Sequence, residues 1–429
     1  MKKKYRIILY TSIFLLCVVA SIILVVKKSN SVYEEESKPK VVKHKSMLSM
    51  NLEQTAGAGD YKTVTQSKWP TEGYKFNAEL SRCENGSTLS WDDTKKAVIV
   101  SGNLSDKCYV YFDIYQPTLA EYIKSQYTGT QGENNIYYHD SDLANGAGDN
   151  SYRYAGANPN NFVCFGTTES PCPTDNLYRI IGVFGENYHG VTGKQLVKLI
   201  KYDYMTTDEL GTDGDYSQTY KEWRMDSTYK GTYGDGERIG VYYWNYKATG
   251  SATNTWSTSL LNKTNLNTNF INNIGTTWAN KIATVTWKVG GNTWANIGTK
   301  TSSVAYTNEI TNPVTTNTTD NATTYSAKIG LMYVSDYGFA ASPDAWTLTM
   351  SSYNNTTATN NNWMYMGLYE WTISRYADLS DYAFFVLCVG RVFNYRVNGY
   401  YGVRASFNLE SSVSYVSGSG SMSDPIVIN

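Results

Sequence analysis

The chain has 429 residues and a formal net charge of −1, so it lacks the basic excess of a nucleic-acid-binding protein. Tyr is abundant, at 38 against 12 Phe, while charged residues are only 17%. That composition excludes a disordered chain and suits an all-β or α+β surface protein with many loops. The three His residues (His44, His139 and His189) are scattered, which leaves little for zinc or histidine-base chemistry to build on.

Residues 1–28 read as a cytoplasmic tip followed by a transmembrane signal anchor. Ile7 to Val26 (IILYTSIFLLCVVASIILVV) is an uncharged apolar run, and as a helix it would span about 30 Å, the thickness of a bilayer core. Lys2, Lys3, Lys4 and Arg6 precede it and Lys27 and Lys28 follow. The heavier N-terminal cluster places the N-terminus in the cytoplasm and the bulk of the chain outside. A cleaved signal peptide is the alternative; the length of the run and the lack of a clear A-x-A site favour an anchor. Residues 29–60 are polar and charge-mixed without periodicity and read as a stalk.

Residues 61–116 read as a small β-module. LSRCENGSTLSWDDTKKAVIVSG alternates, Asn85-Gly86 marks a turn, and KCYVYFDI has the pattern of a strand. Cys83 and Cys108 bracket the hairpins, and in an exported segment the simplest expectation is a disulfide. Residues 117–160 are turn-rich and aromatic and read as a linker; the order of a calcium loop is absent. Residues 161–429 read as the main domain. Cys164 and Cys172 flank a proline-containing loop that a local disulfide would close, and LYRIIGVFG and KQLVKLIKY begin a larger sheet as consecutive strands. The acidic stretch after Lys201 reads as a surface loop. From Thr255 the apolar spacing of Trp256, Leu260, Leu261, Leu266, Phe270, Ile274 and Trp278 predicts one or two amphipathic helices with a break near Asn262. Ile282 to Val289 alternates as a strand, Val304 to Thr324 reads as a loop, and Lys328 to Ala340 reads as a strand ending in a turn.

The succession NLYRIIGVF, VKLIKYDY, W-S-x-S-L-L-N-x-x-x-L-N (Trp256 to Asn267), KIGLMYVSDYGFA, EWTIS, GVRASFNL and YVSGSGSMSDPIVIN resembles a family of bacterial surface proteins. Their C-terminal domain is similar to the C-type-lectin-like fold of formylglycine-generating enzymes and of variable proteins of diversity-generating retroelements. The resemblance covers roughly residues 61–429 and implies an α+β fold, with a twisted antiparallel sheet, packed helices and a solvent-facing binding surface on the C-terminal strands. Where the family reads G-V-R-P, this chain has Gly402-Val403-Arg404-Ala405. Arg404 lies in that motif and is expected to form a structural ion pair with Asp336 or Glu370.

The aromatic segment YAFFVLCVGRVFNYRVNGYY is the candidate binding surface. Its candidate residues are Tyr382, Phe384, Phe385, Val386, Leu387, Arg391, Phe393, Tyr395, Arg396, Tyr400 and Tyr401. Tyr and Phe give rigid contact area, and Arg adds planar, stackable charge. In retroelement variable proteins, mutagenesis of AAY codons at adenines cannot reach Lys, Glu, Gln, Met or Trp, and Thr372 to Leu409 contains none of these. Two readings of the segment stay open: a diversified surface, or an ordinary hairpin whose apolar residues are core. Cys388 has no evident partner.

The implied function is a cell-surface adhesin or receptor for a protein or glycan, anchored through residues 7–26. The alternatives are a structural envelope protein without a diversified site, or a surface hydrolase. The enzymatic reading of the fold, formylglycine generation, needs a paired-cysteine copper site, and only Cys388 lies in the C-terminal part. No G-x-S-x-G, P-loop, HExxH or EF-hand pattern occurs. No catalytic residue, metal ligand or cofactor is therefore expected.

Overall fold

The structure is a computed structural model that describes residues 48–65, 68–70, 73–103, 105–219, 229–231, 239–246, 252–313, 322–353 and 361–429. The apolar run at 7–26 lies outside the described residues. Among those residues, no helix is long and apolar enough to cross a membrane. The chain divides into two compact units, one ending at Gln116 and the other beginning at Pro117.

The first unit contains β1 (Leu48–Glu53), β2 (Tyr61–Val64), β3 (Tyr74–Cys83), β4 (Thr88–Asp92), β5 (Ala97–Ser101) and β6 (Cys108–Ile114). β1, β2, β3 and β6 form one sheet in the order β2-β1-β6-β3, and β4 pairs with β5. Alternation sets the faces of β6: Val110 and Phe112 are buried, while Tyr109 and Tyr111 face outward and are half-buried. Cys83 and Cys108 stand opposite one another in the β3–β6 register and form a disulfide. Buried Asp106 accepts the backbone N–H groups of Asn85 and Ser87 and so fixes the Asn85-Gly86 turn. The polar stretch expected as a stalk to residue 60 already contains β1. β1 buries Met50, Asn51, Leu52 and Glu53 beside β6, and only two of these are apolar, too few to stand out in the sequence.

The second unit is mixed α and β. Its strands are β7 (Ile136–His139), β8 (Ser151–Tyr154), β9 (Phe162–Cys164), β10 (Leu177–Phe184), β11 (Leu196–Lys201), β12 (Tyr216–Thr219), β13 (Gly240–Tyr243), β14 (Val285–Lys288), β15 (Thr324–Ala327), β16 (Ile329–Gly330), β17 (Glu370–Arg375), β18 (Tyr382–Val386), β19 (Val392–Arg396), β20 (Tyr400–Tyr401), β21 (Ser406–Asn408), β22 (Tyr415–Ser417) and β23 (Val427–Ile428). The main sheet runs β16-β21-β11-β10-β8-β7, with β9 also on β10. β10 and β11 pair antiparallel as expected and are buried along their whole length, because packed residues cover both faces. Gly182 marks a bulge where β8 comes close: a Cβ there would sit 2.2 Å from the Tyr152 carbonyl oxygen. Cys164 and Cys172 form the second disulfide.

Several expectations are corrected. Residues 117–160 are no linker. A helix, Leu119–Ser125, opens with a capping box between Thr118 and Glu121, and β7 and β8 extend the main sheet. β8 reads as polar because its buried positions hold Ser151 and Arg153, which are paired within the protein. The acidic stretch after Lys201 contains a short helix, Thr207–Leu210, and β12. Val304 to Thr311 is helical, since Ala305, Tyr306, Glu309 and Ile310 all turn inward. Lys328 to Ala340 holds only the two-residue β16 and then a helix, Val334–Phe339. A run that is apolar all round cannot distinguish strand from helix. The Asp336 carboxylate decides it by accepting the Tyr333 N–H at the helix start. The stretch from Leu261 to Ala279 is helical but broken at Gly275, whose φ of 75° and ψ of 163° are not helical, and not near Asn262, which lies inside the first helical segment.

The core also holds a buried polar network. Lys198 on β11 lies 2.6 Å from Asp336, and Arg153 on β8 lies 2.7 Å from Asp149. Tyr188 donates to Asp336 at 2.6 Å. Such groups are tolerated inside only when paired.

Candidate functional site

The segment selected from the sequence becomes β18, a tight turn, β19 and β20. β18 is the middle strand of the sheet β17-β18-β19, and β20 pairs with β13 in the sheet β12-β13-β20. The two sheets join where Trp371 donates its N–H to the Gly402 carbonyl.

Four parts hold the segment rigid. The Asn254 amide donates to the carbonyls of Tyr376, Leu379 and Tyr382, which fixes the entry to β18. At the tip, Leu387 and Arg391 close a turn through a backbone bond of 2.9 Å, with Gly390 at φ 88° where other residues would be strained. From beneath, Tyr337 donates to the Gly390 carbonyl at 2.6 Å and Tyr365 donates to the Cys388 carbonyl. At the exit, Arg404 makes a two-pronged ion pair with Glu370, at 2.8 and 2.9 Å, and donates to the Met364 carbonyl. Of the two partners expected for Arg404, Glu370 is the one it meets. Burial pushes the Glu370 carboxyl up, opposed by the Arg404 charge. Ala405, where the resembled family has Pro, accepts the Lys201 N–H.

The eleven candidate residues separate into three groups by exposure. Phe384, Phe385 and Val386 are buried. They do not line the surface, because β18 is flanked by β17 and β19 and its side chains pack inward on both sides. Tyr382, Leu387, Arg391 and Tyr401 are half-buried. Phe393, Tyr395, Arg396 and Tyr400 are exposed. Phe393 and Tyr395 sit two apart on β19 and so share a face.

Two of the exposed rings, Phe393 and Tyr395, pack against buried Phe385. Tyr401 stacks on Phe385 at 4.6 Å and leans on Trp371 at 4.6 Å. Tyr395 packs against both Phe385 and Tyr401. Phe393 meets the edge of Trp294 at 5.3 Å, and the Arg391 guanidinium lies over Phe393. Tyr400 touches Tyr243, which stacks on exposed Tyr246. Trp294, Tyr243 and Tyr246 were missed in the sequence, because they come from other elements and carry no local pattern; Tyr369 and Trp371 lie in the same aromatic stretch of the sequence, just before the eleven candidates. Cys388 is a half-buried free thiol at the tip beside exposed Val389.

The chemistry of this surface is contact chemistry: flat rings with hydroxyl edges, the half-buried Arg391 guanidinium over Phe393, and the exposed Arg396 guanidinium, held loosely by Asp381 at 3.8 Å. Among the described residues, no group of three or more His, Cys, Asp or Glu side chains is placed to hold a metal ion. No family model, curated protein or solved structure matches the chain.

Proposed function

We propose that this chain is a membrane-anchored, externally displayed binding protein, an adhesin or receptor whose lectin-like C-terminal domain presents the β18–β20 surface to a protein or glycan. The observation that carries this reading is the two-tier aromatic arrangement. Phe393, Tyr395 and Tyr400 are each more than a third exposed; Phe393 and Tyr395 pack against buried Phe385, Tyr395 also against Tyr401, and Tyr400 against half-buried Tyr243. Rings fixed in this way lose little entropy on binding, and a patch of exposed aromatics on a folded protein is most simply a contact surface. Display outside the cell is supported by the apolar run at 7–26 with its flanking lysines and by the two disulfides.

The test is binding of the full chain to glycan and surface-protein arrays, repeated with a Phe393→Ser, Tyr395→Ser, Tyr400→Ser variant. Loss of roughly tenfold or more in affinity, with the fold unchanged by circular dichroism, is expected for three central aromatic contacts. Unchanged binding by the triple variant overturns the assignment of this surface.

A narrower reading is that a retroelement diversifies the surface. The absence of Lys, Glu, Gln, Met and Trp from Thr372 to Leu409 supports it. It requires a near-repeat of the 3′ end beside a reverse-transcriptase gene. It also requires substitutions among isolates at exposed positions such as Phe393 and Tyr395, with buried Phe384 and Phe385 retained. If isolates vary evenly along the chain, the narrower reading falls and the binding surface is an ordinary one.

A further inference from the structure

Lys198 and Asp336 occupy the centre of the second unit. Both side chains are fully buried, and Nζ lies 2.6 Å from Oδ2. They come from the central strand β11 and from the first turn of the helix Val334–Phe339, 138 residues apart in sequence. Rings wall the amine: Tyr333, Tyr188 and Trp287 have centroids 4.4, 4.8 and 5.0 Å from Nζ. The Tyr188 hydroxyl accepts from Nζ at 2.6 Å and donates to Asp336 Oδ1 at 2.6 Å, so it bridges the two groups. Arg153 Nη1 is buried without a hydrogen-bond acceptor and lies 3.9 Å from the same Oδ1.

A buried ion pair with these contacts is expensive in desolvation. It also holds an amine against a carboxyl group in a site closed to bulk water. We infer that Lys198 and Asp336 react within the folded chain to form an amide bond between Nζ and Cγ, with release of one water. A proton first passes from the ammonium to the carboxylate, leaving the neutral amine and the neutral acid. The Nζ lone pair attacks Cγ, and negative charge gathers on Oδ1, where Tyr188 donates and Arg153 stands by. The Cγ–Oδ2 bond then breaks. Oδ2 departs as water, carrying the acid's proton and one hydrogen from the amine. No oxidant, metal or co-reactant is required. Burial holds Lys198 below the usual ammonium range, which favours the free amine. The exclusion of bulk water protects the product. The bond would join the middle of the main sheet to the helix across a long loop, with a stapling effect like that of a disulfide but insensitive to reductant.

The experiment is mass spectrometry of the full chain after reduction and denaturation, followed by tryptic mapping. We expect the protein to be lighter than its sequence by one water, with no cleavage after Lys198 and with the peptides carrying Lys198 and Asp336 joined. Tyr188→Phe keeps the ring and removes only the bridging hydroxyl, and it should give a mixture in which the joined species accumulates slowly. Lys198→Ala should give separate peptides. Recovery of the wild-type peptides unjoined, with normal cleavage after Lys198, overturns the inference whatever the variants do. A mass lower by one water without joined peptides also overturns it, because dehydration within a single peptide leaves the two apart.

Discussion

Arg404 and Glu370 are both almost completely buried, and each satisfies the other through two hydrogen bonds. Removing one partner from such a pair leaves a buried charge uncompensated. Glu370→Ala should therefore cost about 3–5 kcal/mol in a denaturant titration, whereas Arg396→Ala, at an exposed pair, should leave the denaturation midpoint nearly unchanged. His139 carries a pH prediction. It is fully buried, its Nδ1 accepts the Ala147 N–H, and Phe339 and Trp346 pack against the ring. Burial, reinforced by the Arg153 charge, holds its pKa well below 6.5. The folded state thus binds fewer protons than the unfolded state once the pH drops below about 6.5. The stability contributed by neutral His139 is complete above that pH and declines as the pH falls, by at most about 1.4 kcal/mol per pH unit. Unfolding titrations near neutral pH and one to two units lower should show a smaller acid loss in His139→Gln than in the parent chain. The opposite shifts at buried Glu309 and Glu370 cancel in that difference. Equal acid losses in the two proteins would remove His139 from the account.

At the scale of elements, the hairpin β18–β19 separates support from contact. Phe385 is buried between β17 and β19 and stacks on Tyr401, while its cross-strand partner Phe393 is exposed. Phe385→Ala should cost about 3–5 kcal/mol as a core cavity. Phe393→Ala should cost less than about 1 kcal/mol of stability and act on binding instead. Thermal melts of the two variants decide this: equal destabilisation would mean that Phe393 is also a core residue, and the contact surface would shrink to Tyr395 and Tyr400. The turn between these strands is made by Gly390 at a positive φ, which the sequence reading did not single out. The split between the faces of the two strands was not legible, because both strands are equally apolar in sequence and only their neighbours differ.

At the scale of the whole chain, residues 117–429 contain their own sheet, helices and core. Expressed alone, this fragment should fold with the same slow hydrogen exchange in β10 and β11 as the full chain. Rapid exchange there would show that it depends on the residues before it. The long apolar strands β10 and β11 and both disulfides were readable from the sequence, since burial on both faces writes a continuous apolar run and each cysteine pair had a single simple partner. β1, β7, β8 and the helix Val334–Phe339 were not. Their buried positions hold polar or all-round apolar residues whose partners lie far along the chain, such as Arg153 with Asp336 and Lys198 with Asp336.

The sequence by itself determined local matters: the central strands, the Asn85-Gly86 turn, the disulfide partners, and the place along the chain where aromatic side chains concentrate. Each of these depends on residues close together in the chain or on a pattern that repeats over a few positions. Only the tertiary structure decided which rings face water, that Trp294, Tyr243, Tyr246, Tyr369 and Trp371 join them, and that a lysine and an aspartate far apart in sequence meet inside a ring-lined core. Exposure and pairing are properties of neighbours, and sheet formation brings those neighbours from across the whole chain.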